Sequence, residues 1–336
     1  MAALAALSLI VGKYPLTVKG LIAGDTMQHR VLFNLRIPRT VMALMGGTGL
    51  GVAGFVFQTI FKNPLAAPDI IGVSSGASAG AAFSIVFISS GMITVTVSAF
   101  AGGVIAVLLS LILAGFTKGS KSISIVLAGI AVQALSQTAL MVFKLAADPE
   151  KQLASIEYWI MGSLNGISIT KIPFSAGVCI ACIAIIFIFG RQLLMLSLDE
   201  GEARMLGVPV RWMRFALLLI ATFMVAAIIS LTGLISFVGL IAPHSARLLT
   251  GDNRKSTMIL SGLAGAIILT GADILARSVA AVELPVSVFT SIIGAPFLER
   301  ALSSRVRPPM VAATGNQAVN IASHSRRCKF PNIEVI

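Results

Sequence analysis

Long uncharged stretches alternate along this chain with short segments that gather almost all of its charge. A helix crossing a bilayer needs roughly 20 apolar residues, so the uncharged runs can be measured against that length. Val41 to Phe61 supplies one span. Ile70 to Thr117 is long enough for two, divided near Ser89-Ser90-Gly91. Ser122 to Phe143 and Ile172 to Gly190 each add one. Phe215 to Ala246 is too long for a single crossing and carries Thr232-Gly233 and Pro243 as breakers. It reads as a long helix to about residue 231 followed by a short one from about residue 235. Ser256 to about Val279 and Pro285 to about Leu302 complete nine spans.

The two termini depart from this pattern. Met1 to Val11 is apolar but too short to cross alone, and it lacks the basic start and cleavage site of a signal peptide. It reads as the tail of a first helix whose upstream half is missing. Pro308 to Ile336 is polar and unpatterned, and reads as a disordered extension beyond a membrane domain at residues 1–307.

Composition agrees with a membrane protein. Of 336 residues, 57% are hydrophobic and only 11% charged, against about 25% charged in soluble domains; the mean hydropathy is +0.96. The excess of 25 basic over 13 acidic residues suits loops on a cytoplasmic membrane face better than nucleic acid. Two Trp and two Tyr leave little surface for stacking bases. Alternating the spans puts Lys62, Lys118, Lys121, Arg191, Arg204, Arg211, Arg214, Arg247, Arg254, Lys255, Arg300, Arg305 and Arg307 on one side. The other side receives Lys13, Lys19, Arg30, Arg36, Arg39, Lys144, Lys151, Lys171 and Arg277. The more basic side is assigned to the cytoplasm.

Candidate chemistry is sparse. The chain has no phosphate-binding G-x-x-x-x-G-K-[ST] loop and no H-E-x-x-H, and its three histidines are scattered. No cofactor or metal site is expected, and energy for transport has to come from a partner chain. Cys179-Ile-Ala-Cys182 has redox spelling but lies in an apolar run, where the cysteines read as packing residues. Gly47 with Gly51, and Gly76 with Gly80, put small residues on single helix faces. Those stripes serve close packing, inside one subunit or across a dimer seam.

Three charged segments stand out. Arg36-Ile-Pro-Arg39 precedes the first complete span, its arginines fitting either interfacial anchors or a docking surface. Asn63-Pro-Leu-Ala-Ala-Pro-Asp69 is a proline-punctuated loop, and Asp69 favours the positive end of the helix that follows. Leu198 to Pro209 is a polar segment of helix formers ended by Gly207 and Pro209. Its apolar Ala203, Leu206 and Val208 suit a groove on a partner, or the membrane surface.

At these residues the chain resembles the FecCD-type permease subunits of ABC importers for iron–siderophore complexes, haem and vitamin B12. The likeness covers residues 30 to 305. It runs through Arg36-Ile-Pro-Arg39, Asn63 to Asp69, Gly72-Val-Ser-Ser-Gly-Ala77 and Leu206-Gly207. It continues through Gly233 to His244, Arg247, Gly251-Asp-Asn-Arg254, Ala272 to Arg277, Glu283-Leu-Pro285 and Gly294-Ala-Pro-Phe297. Asn253 departs from the histidine more usual before the arginine.

The resemblance implies an all-α polytopic bundle of ten helices, the first truncated here, in the bacterial cytoplasmic membrane. It implies a second permease subunit, two cytoplasmic ATP-binding subunits and an extracytoplasmic substrate-binding protein, with no enzymatic activity in this chain. It assigns Arg36, Arg39 and Arg277 to docking of the binding protein. It assigns Asp199, Glu200, Glu202, Ala203, Arg204, Leu206 and Gly207 to coupling with the ATPase. Ferric siderophore is the expected cargo. An ion-gradient-driven secondary transporter is the alternative, resting on Asp273 and Arg277 four apart on one helix face.

Overall fold

The computed structural model describes residues 1–306 apart from Lys13, Val18, Lys19, Leu21, 118–120, Lys171 and 280–282. The extension expected from Pro308 lies outside the described residues, as do Lys118 and Arg307 from the more basic side. Contacts separate Met1–Ala295 from the chain beginning at Pro296. All packing described below belongs to the first unit; in the second, helix continues to Val306.

The helices are α1 (Ala2–Ile10), α2 (Thr26–Ile60), α3 (Val73–Ile88), α4 (Met92–Phe116) and α5 (Lys121–Ala146). They continue with α6 (Gln152–Met161), α7 (Ile172–Ile188), α8 (Gly190–Met195) and α9 (Glu200–Met205). The remainder are α10 (Val210–Thr232), α11 (Val238–Thr250), α12 (Lys255–Ser278) and α13 (Val286–Val306). Five helices, in α2, α4, α5, α10 and α12, are long and apolar enough to cross a membrane, and three shorter apolar helices lie in α3, α7 and α13. Each span expected from the uncharged runs coincides with a helix, and the break before α11 falls where Thr232-Gly233 placed it.

The charged segments bring the differences. Helix α2 starts at Thr26 rather than Val41, so Arg30, Arg36 and Arg39 lie within it. Asp25 caps that start by accepting from the Met27 and Gln28 N–H groups, which hold its carboxyl below the usual carboxylate range. Val31–Arg36 winds as a π-helix immediately before Pro38. The wider turn accommodates a proline that has no N–H and crowds the preceding carbonyls. Helix α6 falls in a segment read as loop. It is tied down by Lys144 to Glu157 at 2.8 Å, and by Gln152 donating to the Ile85 carbonyl at 3.2 Å.

Small residues set the closest crossings. A Cβ on Gly47 would sit 2.4 Å from the Gly265 carbonyl, and one on Gly51 2.1 Å from that of Ser261, so α2 and α12 meet backbone to backbone. Gly76 and Gly80 meet Gly102 and Ser98 of α4 in the same way. Both stripes are therefore used inside one subunit. Helix α10 runs through the middle against α2, α4, α3 and α7, burying Leu217, Leu218 and Met224 completely. Cys179 and Cys182 are buried and unpaired, and the Cys179 Sγ faces Gly49 of α2.

Helix α11 is a half-length element. It opens at Val238 after Phe237, whose φ of 66° is left-handed. Pro243 in its second turn leaves the Gly239 carbonyl without its helical donor. That carbonyl lies so close to α2 that a Cβ on Gly54 would come within 1.7 Å of it. Only glycine permits this approach.

Candidate functional site

Two charged constellations occupy opposite ends of the helices. At the end where α1 meets α2, Arg36 donates from Nη1 to the Leu9 and Ile10 carbonyls, both at 2.6 Å, and from Nη2 to the Tyr14 carbonyl. The Leu9 and Ile10 carbonyls are terminal acceptors of α1, which a helix leaves without internal donors. Arg39, one turn on, donates to Asp273 at 2.7 Å and to Glu283 at 2.9 Å. Arg277 donates to the Ser8 carbonyl at 2.8 Å and its Oγ at 2.6 Å, and lies 3.6 Å from the second Asp273 oxygen.

The sequence-predicted docking arginines are thus brought together, and they are buried: Arg36 is 5% exposed, Arg39 8% and Arg277 4%. Together with Gly12, Tyr14 and Glu283 they line a cavity of about 180 Å³. Three guanidinium groups face two carboxylates, an excess of one positive charge. Glu283 was named in the sequence as part of a motif but without a role. Its partner stands 244 positions away, and only the fold discloses the pair.

At the opposite end the chain turns from α7 through α8 into the six-residue α9. Gly207 ends it at φ +80°, and the Val208 N–H closes back to the Ala203 carbonyl at 3.1 Å. This closure inserts Ala203 and Val208 into the protein's own core, at 1% and 5% exposure. They are not available to a partner's groove. Leu206 and the unanticipated Met205 are the exposed apolar residues, at 56% and 82%. Glu202 and Gly207 are exposed as well.

Two pairs root α9: Lys62 meets Asp199 at 3.2 Å and Arg214 meets Glu200 at 2.8 Å, while Arg204 stands 3.7 Å from Glu200 within the helix itself. Beside them Arg247 bridges α11 to α2 through the Gln58 amide oxygen, while its Nε donates to Asn253 at 2.8 Å. Asn253 thus supplies an acceptor where a histidine is more usual. Between the two ends lies a cavity of about 320 Å³ where Asp69, Ser74, Gln133 and Gln137 share the lining with Leu140, Ile160, Leu234 and Ile235. Ser74 donates to Asp69 there.

A helical bundle, with a buried ionic cluster at one end and an exposed amphipathic segment at the other, is the architecture of a polytopic membrane protein. The chain belongs to the FecCD transport family, whose model matches residues 1–303. It is 34% identical over 305 residues to the molybdate import system permease MolB of Haemophilus influenzae, covering 87% of this chain and 89% of that one. It is 35% identical over 304 residues to the Fe(3+) dicitrate permease FecD of Escherichia coli, covering 88% and 93%. To the hemin permease HmuU of Yersinia pestis it is 33% identical over 279 residues, covering 81% and 83%. A solved inward-facing conformation of a metal-chelate type ABC transporter superposes with a TM-score of 0.83 at 32% identity, over 90% of this chain and 96% of that one.

The protein is therefore an ABC importer permease of the bacterial cytoplasmic membrane. Permeases of this family are transport components that act with a second permease subunit and with ATPases. Membership displaces the ion-gradient alternative. Asp273, on which that reading rested, stands between Arg39 and Arg277 as a structural counter-ion.

Proposed function

We propose that the chain forms half of the pathway for an iron chelate, a ferric siderophore in the first instance, driven by an ATPase seated on Asp199–Gly207. The observation that carries the coupling assignment is the asymmetry of α9. Ala203 is locked into the core and Glu200 is tied to Arg214 of α10, while Glu202 and Leu206 face outward. A push on the exposed face would reach α10, the helix in the middle of the bundle, through a short, stiff connection. Replacing Glu202 and Leu206 together with alanine is expected to abolish uptake while ATP hydrolysis by the assembled transporter continues. Unchanged uptake in the double variant rejects the assigned contact.

Relatives named for iron citrate, dicitrate and hemin support an iron complex as the cargo. A molybdate relative makes the discriminating experiment clear. Radiolabelled ferric siderophore and molybdate are offered to cells dependent on this permease, and uptake of molybdate alone would overturn the iron assignment.

We further propose that a binding protein docks on the end bearing Arg36, Arg39 and Arg277, which the cytoplasmic assignment of the opposite end places outside. Partner carboxylates would enter the cavity that these arginines line and compete with Asp273 and Glu283. Charged contacts of this kind govern encounter and orientation. Arg36→Gln, whose partners are main-chain carbonyls, should lower binding-protein affinity and flatten its dependence on salt. Equal affinity at every salt concentration, at matched protein level, sinks the docking role.

A further inference from the structure

A groove of about 500 Å³ opens where the last turns of α4 and the first turns of α5 and α10 meet α9. Its lining joins two chemistries: Leu111, Ala114, Ile125 and Phe215 are apolar, while Arg204, Arg211 and Arg214 are cationic. Glu200 is the one carboxylate among the lining residues, so the rim carries two positive charges in excess. Arg214 is 5% exposed and donates from Nη2 to Glu200 at 2.8 Å. Its buried Nε has no hydrogen-bond partner. A buried donor left unmade costs free energy, and the arginine that carries it borders the groove. Trp212, 73% exposed beside Arg211, is the residue type that settles at the boundary of hydrocarbon and headgroups.

These features fall at the depth where apolar helix gives way to charge. We propose that the groove holds an anionic phospholipid of the adjoining leaflet, its phosphate against Arg204, Arg211 and Arg214 and an acyl chain along Leu111, Ala114 and Phe215. A small anion would not use the apolar wall, whereas a neutral lipid would leave the cationic rim unanswered. Basic pockets between membrane helices are suited to such headgroups. The phosphate supplies the acceptor that Arg214 lacks and shares that arginine with Glu200, so an occupied groove braces the base of α9 against α10. The inference rests on the membrane placement of the protein and not on the ATPase assignment, and the two fail separately.

The test is native mass spectrometry of the purified full-length protein with phosphatidylglycerol, phosphatidylcholine and inorganic phosphate as probes. Phosphatidylglycerol should be retained at least tenfold more tightly than phosphatidylcholine, as expected for roughly a fivefold gain per arginine at the surface. Arg211→Gln should reduce that retention about fivefold. The Arg211 side chain is exposed, so its loss spares the core. Trp212→Ala should weaken both lipids alike. Four results would each overturn the proposal: equal retention of the two lipids, no effect of Arg211→Gln, displacement of the lipid by millimolar phosphate, or expulsion of the lipid when the ATPase subunit is assembled. The third would make the groove a simple anion site, and the fourth would give it to the partner protein.

Discussion

Asp273 and Asp199 each meet a cation within about 3 Å, at 2.7 and 3.2 Å, yet their side chains are 0% and 87% exposed. The first stands among α1, α2 and α12; the second sits at the root of α9. Coulomb energy scales inversely with the effective dielectric constant, so similar distances carry very different energies in the two places. At the buried end, removing one partner leaves the others with little solvent to replace it. At the exposed end, solvent replaces whatever is removed. One end of the permease is built to hold still, while the other presents a surface whose outermost tie, Lys62 with Asp199, is easily exchanged.

Asp273→Asn should sharpen the contrast most. It leaves Arg39 and Arg277 buried without their shared counter-charge, and breaking a buried pair costs about 3–5 kcal/mol. Thermal unfolding in detergent would register it; an unchanged midpoint would show that the cluster is not a clamp. Gly54→Val comes next, because its side chain would enter the Gly239 carbonyl and overpacking typically costs about 1–3 kcal/mol. Its counterpart is Gly201→Ala in α9, where nothing lies within 4 Å of an added Cβ and no loss of stability is expected. Asp199→Ala should move the midpoint by the equivalent of under about 1 kcal/mol, less than either buried variant. If transport falls further than stability in that variant, the exposed end is functional rather than structural.

The contrast also explains what could be read in advance. Uncharged runs located Met92–Phe116, Ile172–Ile188 and Lys255–Ser278 closely because a membrane helix is identified by what it lacks. The same rule cut α2 short at Val41, since Arg36 and Arg39 looked like loop residues. They are helical because Asp273, Glu283 and the end of α1 neutralise them, and no local pattern reveals partners so remote. The grouping of Arg36, Arg39 and Arg277 was legible as motif resemblance; their burial was not. In α9, the apolar positions were visible but their direction was not. A six-residue helix has too few turns for periodicity to say that Ala203 faces inward and Leu206 outward.

The clamp also bears on how the protein is made. Arg39 and its carboxylate partner Asp273 are separated by 234 positions. At the usual 5–20 residues per second, α2 enters the membrane roughly 10–50 seconds before its counter-ion has been synthesised. Through that interval Arg39 has to reach up to the headgroups along its own aliphatic stem, and α1 can be held to α2 only through contacts such as Arg36 with its last carbonyls and Ser8 with Thr40. Ribosomes stalled before α12 would therefore leave a nascent chain with a charged, unlocked α2, a feature that membrane quality control can recognise. Completion of α12 converts that exposed signal into a buried ion pair of the clamp, so the cluster marks a late checkpoint in the making of the permease.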